Sequence, residues 1–458
     1  MTSEFDLICI GSGPSGLRAA IQASKLGKKV AIIEKYKFVG GICLHAGTIP
    51  SKTFREAILS KVSKNKKIHR YAGYSFQKFF KRVQKIVNDE VNVNNDQLSR
   101  NGIKVIYGEA SFKNKNEIII KSGKDTREIK SEFFLISVGT QSNKPNYYNK
   151  NNPHVILSDD IFSLKTIPNS ISIIGCGVIG IEYASMFSKL GIKVTLIDGR
   201  HRPLEFLDSE IVDELIYQMR KSGVEFKLGE KVKDVLLDKK GEMNIRIDLE
   251  SGKKIHSQLA ITCVGRVGYT SNLNLESINV NLDSRGRIIV NHDFQTTCPN
   301  VYSAGDVIGF PSLAATSFEQ GRLVALNIFN KNNHKMSPNF PVGVYSVPEV
   351  SMVGETEQSL TKNKIPYEIG IARYKEISRG IILGDINGLL KMIIHRETKK
   401  ILGVHIVGES ATELIHIGQC VMELDGDLNY FLKSVFNYPT LAECYKVAAL
   451  DADNKLKI

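Results

Sequence analysis

The chain has 458 residues, 42% hydrophobic and 24% charged, a make-up that excludes disordered and fibrous classes and predicts roughly two to four globular domains. A net charge of +13 raises nucleic-acid binding, but the lysines are dispersed, the densest run (61–70) reads as a solvated helix face, and no nucleic-acid module is present in the sequence; a basic surface suits anionic dinucleotides instead. No apolar run approaches the ~20 residues of a membrane span, the first strand-like segment starts too early for a leader peptide, and seven scattered cysteines without metal-like pairing read as free thiols, so a cytoplasmic protein without a metal site is expected.

Residues 5–10 predict an apolar strand, followed by Gly11-Ser12-Gly13-Pro14-Ser15-Gly16, a helical run at 17–26 and a strand at 29–33 ending in Glu34. This is the strand–turn–helix–strand order of a dinucleotide fingerprint. Gly11 permits the tight turn, Gly13 lets backbone approach a pyrophosphate, and Gly16 lets helix and strand pack closely. Glu34 would accept hydrogen bonds from the adenosine ribose, with Lys35 beside it. The segment Gly40-Gly41-Ile42-Cys43-Leu44-His45-Ala46-Gly47-Thr48-Ile49-Pro50-Ser51-Lys52 comes next. Residues 104–139 predict a β-meander closing this first unit.

The fingerprint then recurs. Residues 171–174 form the strand, Gly175-Cys176-Gly177-Val178-Ile179-Gly180 the turn, 181–190 the helix and 193–197 the second strand, ending in Asp198. Two such units, each with its acid at the same offset, predict two dinucleotides and electron transfer between them. The simplest pairing is one held permanently as FAD and one exchanging as NAD or NADP. Asp198 can bond a free 2′-hydroxyl, and Arg200 and Arg202 can pair with a 2′-phosphate. The stretches 136–140, with Gly139, and 262–266, with Gly265 and Arg266, look like paired crossing strands that close the two nucleotide domains, and these three residues are expected at the cofactors. Beyond about residue 338 the fingerprints stop, and 389–395 with 401–407 predict a hairpin followed by an amphipathic helix at 411–422. The expected architecture is α/β: two Rossmann-like three-layer domains and a C-terminal α+β domain. The FAD domain takes 1–145 and 268–337, the NAD(P) domain 146–267, and the interface domain 338–458.

Pro299-Asn300-Val301-Tyr302-Ser303-Ala304-Gly305-Asp306 resembles the second flavin motif of a known superfamily, in which the aspartate bonds the ribityl hydroxyls. With it, nearly the whole chain resembles the class I pyridine nucleotide–disulfide oxidoreductases. The resemblance makes residues 40–52 the redox-disulfide segment, with Gly40, Gly41, Cys43 and Thr48 against the flavin. It pairs Lys52, near the flavin N5, with Glu182, and makes the last domain a dimer interface. Two departures stand out. The second cysteine is Thr48, and a disulfide relay needs two sulfurs. The histidine before Pro-Thr near the C-terminus is Tyr438, within Phe436-Asn437-Tyr438-Pro439-Thr440-Leu441-Ala442-Glu443. A tyrosine with an ordinary pKa near ~10 is a poor proton shuttle at neutral pH.

Loss of the sulfur and the thiol base together, with both nucleotide sites kept, is similar to one subfamily, the soluble pyridine nucleotide transhydrogenases. That resemblance implies hydride transfer from NADPH to NAD⁺ through bound FAD in a ping-pong cycle. It also implies a homo-oligomer, at least a dimer, in which Tyr438 to Glu443 reach the neighbouring flavin. A diaphorase serving a quinone or other acceptor, and a catalytically idle flavin-binding subunit of a larger complex, are the alternatives.

Overall fold

The computed structural model describes residues 4–64, 76–238, 244–329 and 335–457. Of the basic run 61–70, only 61–64 lie among the described residues, so the rest of that expected helix face falls outside them.

The first sheet is built around the strand Phe5–Ile10, which pairs in parallel with Val30–Glu34 on one side and with residues 131–136 on the other. Its side chains alternate between two interiors. Leu7 and Cys9 pack with Ala19, Ala20 and Val324 beneath the helices Pro14–Lys25 and Ala314–Phe329, while Ile8 and Ile10 join Phe112 and Phe134 on the opposite face. A strand buried on both faces needs an unbroken apolar run, and FDLICI supplies one. The first helix begins at Pro14, three residues before the sequence pattern suggests, because proline at the first helical position has its φ already set.

The expected meander over 104–139 divides. Lys104–Tyr107 joins the parallel sheet beside Val30–Glu34, and only Glu109–Asn114, Glu117–Ser122 and the first half of Asp125–Ile136 form antiparallel pairs. The long strand thus serves two sheets, antiparallel up to residue 130 and parallel from Ser131 on. Val301–Ser303 then pairs in parallel with residues 134–136, which returns a distant part of the chain to the first sheet and sets Gly305 and Asp306 beside the glycine turn.

A second sheet repeats the plan with five parallel strands, in the order Val224–Leu228, Lys193–Asp198, Ser170–Ile174, Leu259–Thr262 and Val155–Leu157. The two units are stitched by a short antiparallel pair, Thr140–Ser142 with Arg266–Gly268, just beyond the segments expected to cross. The last unit is a five-stranded antiparallel sheet in which Leu389–His395 and Ile401–Gly408 form the expected hairpin. The helix Ala411–Glu423 matches its sequence pattern, and Glu443–Leu456 packs so closely on Tyr367–Arg373 that a Cβ on Gly370 would collide with the Ala448 carbonyl oxygen. Among the described residues no helix is long and apolar enough to cross a membrane.

The second and last units meet at a buried charge cluster. Asp208 caps the helix Ser209–Lys221 by accepting the Glu210 N–H and also accepts the Glu357 N–H at 3.2 Å. Lys391, fully buried, reaches Asp208 at 2.9 Å, Glu210 at 3.0 Å and the carboxylate of Glu357. Burial pushes the Asp208 carboxyl up, but neighbouring charge, the Lys391 ammonium and backbone N–H donors outweigh it and hold the group below its ordinary value. Removing the cation from such a site leaves carboxylates uncompensated, which costs about 3–5 kcal/mol. Lys391→Met should therefore lower the thermal midpoint sharply at pH 7. A depressed carboxyl contributes stability above its unfolded value of ~3.9 and loses it as pH falls through the folded value. The gap between variant and parent should accordingly narrow below about pH 4, which unfolding curves at pH 7 and in acid would check.

Candidate functional site

The first glycine turn leaves no room for side chains where it faces the protein. Gly11, at φ +105°, lies against the Ser137 carbonyl, and a Cβ there would collide with that oxygen. A Cβ on Gly16 would strike the Gly11 carbonyl oxygen. Gly13 differs, since its Cβ would meet nothing nearer than Ser137 O at 4.0 Å. Two glycines therefore serve the fold, and the third opens a face. The helix from Pro14 has no side-chain cap at Gly13, so its first N–H groups and the positive end of its dipole face that space.

Glu34, buried at the end of its strand, locks the turn. Its Oε2 accepts the Ser12 N–H at 3.0 Å and the Ser12 hydroxyl, and its Oε1 accepts the Tyr36 N–H at 2.8 Å. Ser12 Oγ also accepts the Gly40 N–H at 3.0 Å, and Gly41 sits so near Gly13 that its Cβ would lie 3.0 Å from the Gly13 Cα. Residues 40–41, both at positive φ, are thus packed onto the fingerprint.

These elements enclose one side of a cavity of about 720 Å³. Gly11 to Ser15, Glu34, Lys35, Gly41, Cys43, Thr48, Gly139, Gly305 and Asp306 all line it. Gly305, at φ +84°, has no space for a side chain because Ser15 Oγ would stand 2.6 Å from its Cβ. Burial raises the Asp306 carboxyl, opposed by the charge of Arg266 and a bond to Ser317. Lys35 bonds Glu109 at 2.8 Å and the Tyr269 hydroxyl at 2.6 Å across the cavity rim. Arg266 is engaged elsewhere: its guanidinium bonds Thr140 Oγ1 and O, Ser142 Oγ, and Asp159 at 2.8 Å, so it fastens the crossing strands. Gly265, at φ +94°, has open space beside it. Tyr36, Phe38, Tyr269 and Ser317 also line the cavity, although no spacing rule marks them in the sequence.

At the far end, Cys43 is a free thiol, as are all seven cysteines. Burial pushes its pKa up, partly offset by a hydrogen bond from Thr48, so at neutral pH it is a thiol and not a nucleophilic thiolate. One turn on from Thr48, Lys52 Nζ meets the Glu182 carboxylate at 2.7 and 2.8 Å. The pair joins the first unit to the helix Val178–Lys189 of the second, with Glu182 buried and Lys52 partly exposed. Sequence reasoning missed Tyr345, whose N–H donates to Glu182 Oε1 at 2.8 Å and whose ring lies 4.8 Å from Lys52 Nζ. Pro348, three residues later, is its one local signal.

The second fingerprint reproduces the first. A Cβ on Gly175, at φ +108°, would collide with the Cys263 carbonyl, one on Gly180 would hit the Gly175 carbonyl, and one on Gly177 would meet nothing within 4 Å. Asp198 plays the part of Glu34, accepting the Cys176 N–H at 2.6 Å and the Arg200 N–H at 2.8 Å. The Arg200 guanidinium also bonds this carboxylate, at 2.7 and 3.0 Å. Burial raises the Asp198 pKa, but Arg200 and the two N–H donors leave it lowered overall. Arg202 is turned away toward the helix Ser209–Lys221, where it bonds the Ser209 carbonyl at 2.6 Å and Asp213 at 2.5 Å.

Tyr438 and Glu443 stand apart from the cavity of their own chain. Tyr438 is 72% exposed and bonds Ser378 Oγ at 2.7 Å, while Glu443 accepts the Thr440 N–H at 3.3 Å. Ile381, Ile382 and Leu383 lie exposed on the helix that Ser378 begins.

The pyridine nucleotide-disulphide oxidoreductase family model matches residues 5–321, and the dimerisation domain of that family matches residues 340–449. Two similar proteins are each named soluble pyridine nucleotide transhydrogenase. The one from Mycobacterium bovis (strain BCG / Pasteur 1173P2) is 43% identical over 99% of this chain and 98% of its own length. The one from Marinomonas sp. (strain MWYL1) is 40% identical over 99% of each. Among solved structures, the HOCl-induced flavoprotein disulfide reductase RclA from Escherichia coli superposes with a TM-score of 0.90 at 26% identity, covering 98% of this chain and 99% of that one. With both domains matched across nearly its whole length, the chain belongs to the pyridine nucleotide-disulphide oxidoreductase family.

Proposed function

We propose that this chain is an FAD-dependent pyridine nucleotide transhydrogenase that moves hydride from NADPH to NAD⁺ in a ping-pong cycle in the cytoplasm. The observation that carries the reading is Thr48 opposite a protonated Cys43, in a chain that keeps both dinucleotide turns and the Lys52–Glu182 pair. The likeness to proteins of that name at 40–43% identity supports it.

The residues present fit FAD. A 720 Å³ cavity is of the size that encloses a large cofactor, and its wall offers an uncapped helix N-terminus over the open face of Gly13. Residues 11–16 would hold the pyrophosphate, Glu34 the adenosine ribose and Asp306 the ribityl hydroxyls. Bound FAD supplies the hydride acceptance and donation that no side chain here can perform. The chain's own part is orientation and charge. Residues 175–180 present the exchanging dinucleotide, Asp198 accepts from a 2′-hydroxyl, and Arg200 swings from Asp198 to a 2′-phosphate. Lys52 and Glu182 hold a fixed ion pair next to Thr48, where electrostatic preorganisation acts on the reaction. The exposed apolar residues around Ser378 suit a second copy of the chain, with Tyr438 to Glu443 closing the partner's cavity.

Stopped-flow mixing tests the core of this. One equivalent of NADPH should bleach one bound flavin without a long-wavelength thiolate charge-transfer band, and NAD⁺ should restore the colour. Cys43→Ser should keep most of the transhydrogenase activity, and a flavin that NADPH cannot bleach would end the proposal.

Arg200→Ala should raise the KM for NADPH about tenfold with little effect on that for NADH, the scale of one charge-assisted bond at ~1.5 kcal/mol. Arg202→Ala should shift both KM values alike, because its present bonds are to the protein. Steady-state kinetics with each nucleotide separates these outcomes.

Truncation before Phe436 should weaken both dimerisation and FAD retention. Sedimentation under assay conditions that finds a fully active monomer would refute the assembly while leaving the nucleotide sites in place.

A further inference from the structure

The Lys52 ammonium is clasped from two sides by groups from two other parts of the chain. Glu182 meets it with both carboxylate oxygens, and the face of Tyr345 lies 4.8 Å away. Tyr345 also touches the other ion, since its N–H donates to Glu182 Oε1. One residue therefore contacts both members of the pair through chemically separate groups.

Tyr345 is itself held in place. Its ring lies with Thr412 beside Gly343, and burial raises its pKa. Thr412 donates its N–H and hydroxyl to Glu349 Oε2 at 3.1 and 2.8 Å. Glu349 Oε1 pairs with Arg55 at 3.1 Å, and Arg55 Nε donates to the Ser346 carbonyl at 3.0 Å. Arg55 lies three residues after Lys52 on the helix Thr48–Lys64. The contacts thus run from Lys52 through Glu182 to Tyr345, and from the adjoining Ser346 through Arg55 back to the same helix, with Glu349 and Thr412 bracing Arg55. The neighbouring Val347 N–H adds a bond to Ser185 Oγ at 3.0 Å.

A lysine stem has four rotatable carbons, and a single carboxylate does not fix where its ammonium points. An aromatic face attracts the cation electrostatically and blocks its other exits. We propose that Tyr345 is a positioning residue for hydride transfer: its ring and its N–H together hold the Lys52–Glu182 pair one helical turn beyond Thr48, which lines the cavity, so that the ammonium keeps one place beside the flavin. A tyrosine serving only to fill space would act on neither ion.

This inference rests on the reading of Lys52 as the flavin-side cation, and the test separates the two. The midpoint potential of the bound flavin and the rate at which NADPH bleaches it are measured on holoenzyme for the parent, Lys52→Met, Tyr345→Leu and Tyr345→Phe. A nearby cation favours the electron-rich form of the flavin, so Lys52→Met should move the potential to a more negative value. Tyr345→Leu should move it the same way by a smaller amount and slow bleaching about three- to tenfold, with the half-saturating NADPH concentration unchanged. Tyr345→Phe keeps the ring and the N–H and should behave as the parent. If Lys52→Met leaves the potential where it was, the underlying reading of Lys52 fails. If Lys52→Met shifts it but Tyr345→Leu does not, or if Tyr345→Phe matches Tyr345→Leu, the positioning role is overturned while Lys52 stands.

Discussion

A turn too tight for side chains governs the architecture of both nucleotide units. Gly11 presses on the carbonyl of Ser137 and Gly175 on that of Cys263, so each glycine turn is seated on the strand that follows its crossover. The acid at the end of the second strand then fastens the turn by accepting backbone N–H groups, Ser12 and Tyr36 for Glu34, Cys176 and Arg200 for Asp198. At Asp198 the Arg200 guanidinium joins these donors, and together they hold the carboxyl below its ordinary value. Everything else in each site, from the direction of the helix to the open face at Gly13 or Gly177, follows from that seating.

A threonine stands in the cavity wall where a second sulfur would be needed for a disulfide. The cavity end holds a protonated thiol beside a threonine, where the resembled disulfide reductases place two cysteines. One turn beyond Thr48 lies the ion pair of Lys52 and Glu182, drawn from two units and contacted by a third. The fold is shared with a flavoprotein disulfide reductase at 26% identity.

The junction around residues 345–349 joins the last unit to both of the others. Tyr345 and Val347 bond the helix of Glu182 and Ser185, while the Ser346 carbonyl and Glu349 bond Arg55. A second buried cluster at Lys391 ties the same two later units together at another point. Two separated points of contact, one hydrogen-bonded and one ionic, restrain rotation between those units in a way that one cannot.

The sequence by itself determined the two dinucleotide turns, their acids, the closing hairpin and the helix at Ala411–Glu423, because each is written in φ requirements or periodicity within a short window of chain. It also placed Thr48 where a disulfide needs sulfur. Tertiary structure alone decided which charges meet. Arg266, expected at a nucleotide, is spent on Asp159 and Thr140, and Arg202 on Asp213, since nothing local says which acid will be nearest. The strand Lys104–Tyr107 left its meander for the parallel sheet because Val30–Glu34 offered an open edge. Lys52 and Glu182 are 130 residues apart and were paired in advance only by resemblance, while Tyr345 carried no expectation at all. Backbone geometry is set by neighbours in sequence, but the partner of a long charged side chain is set by how separately folded units dock.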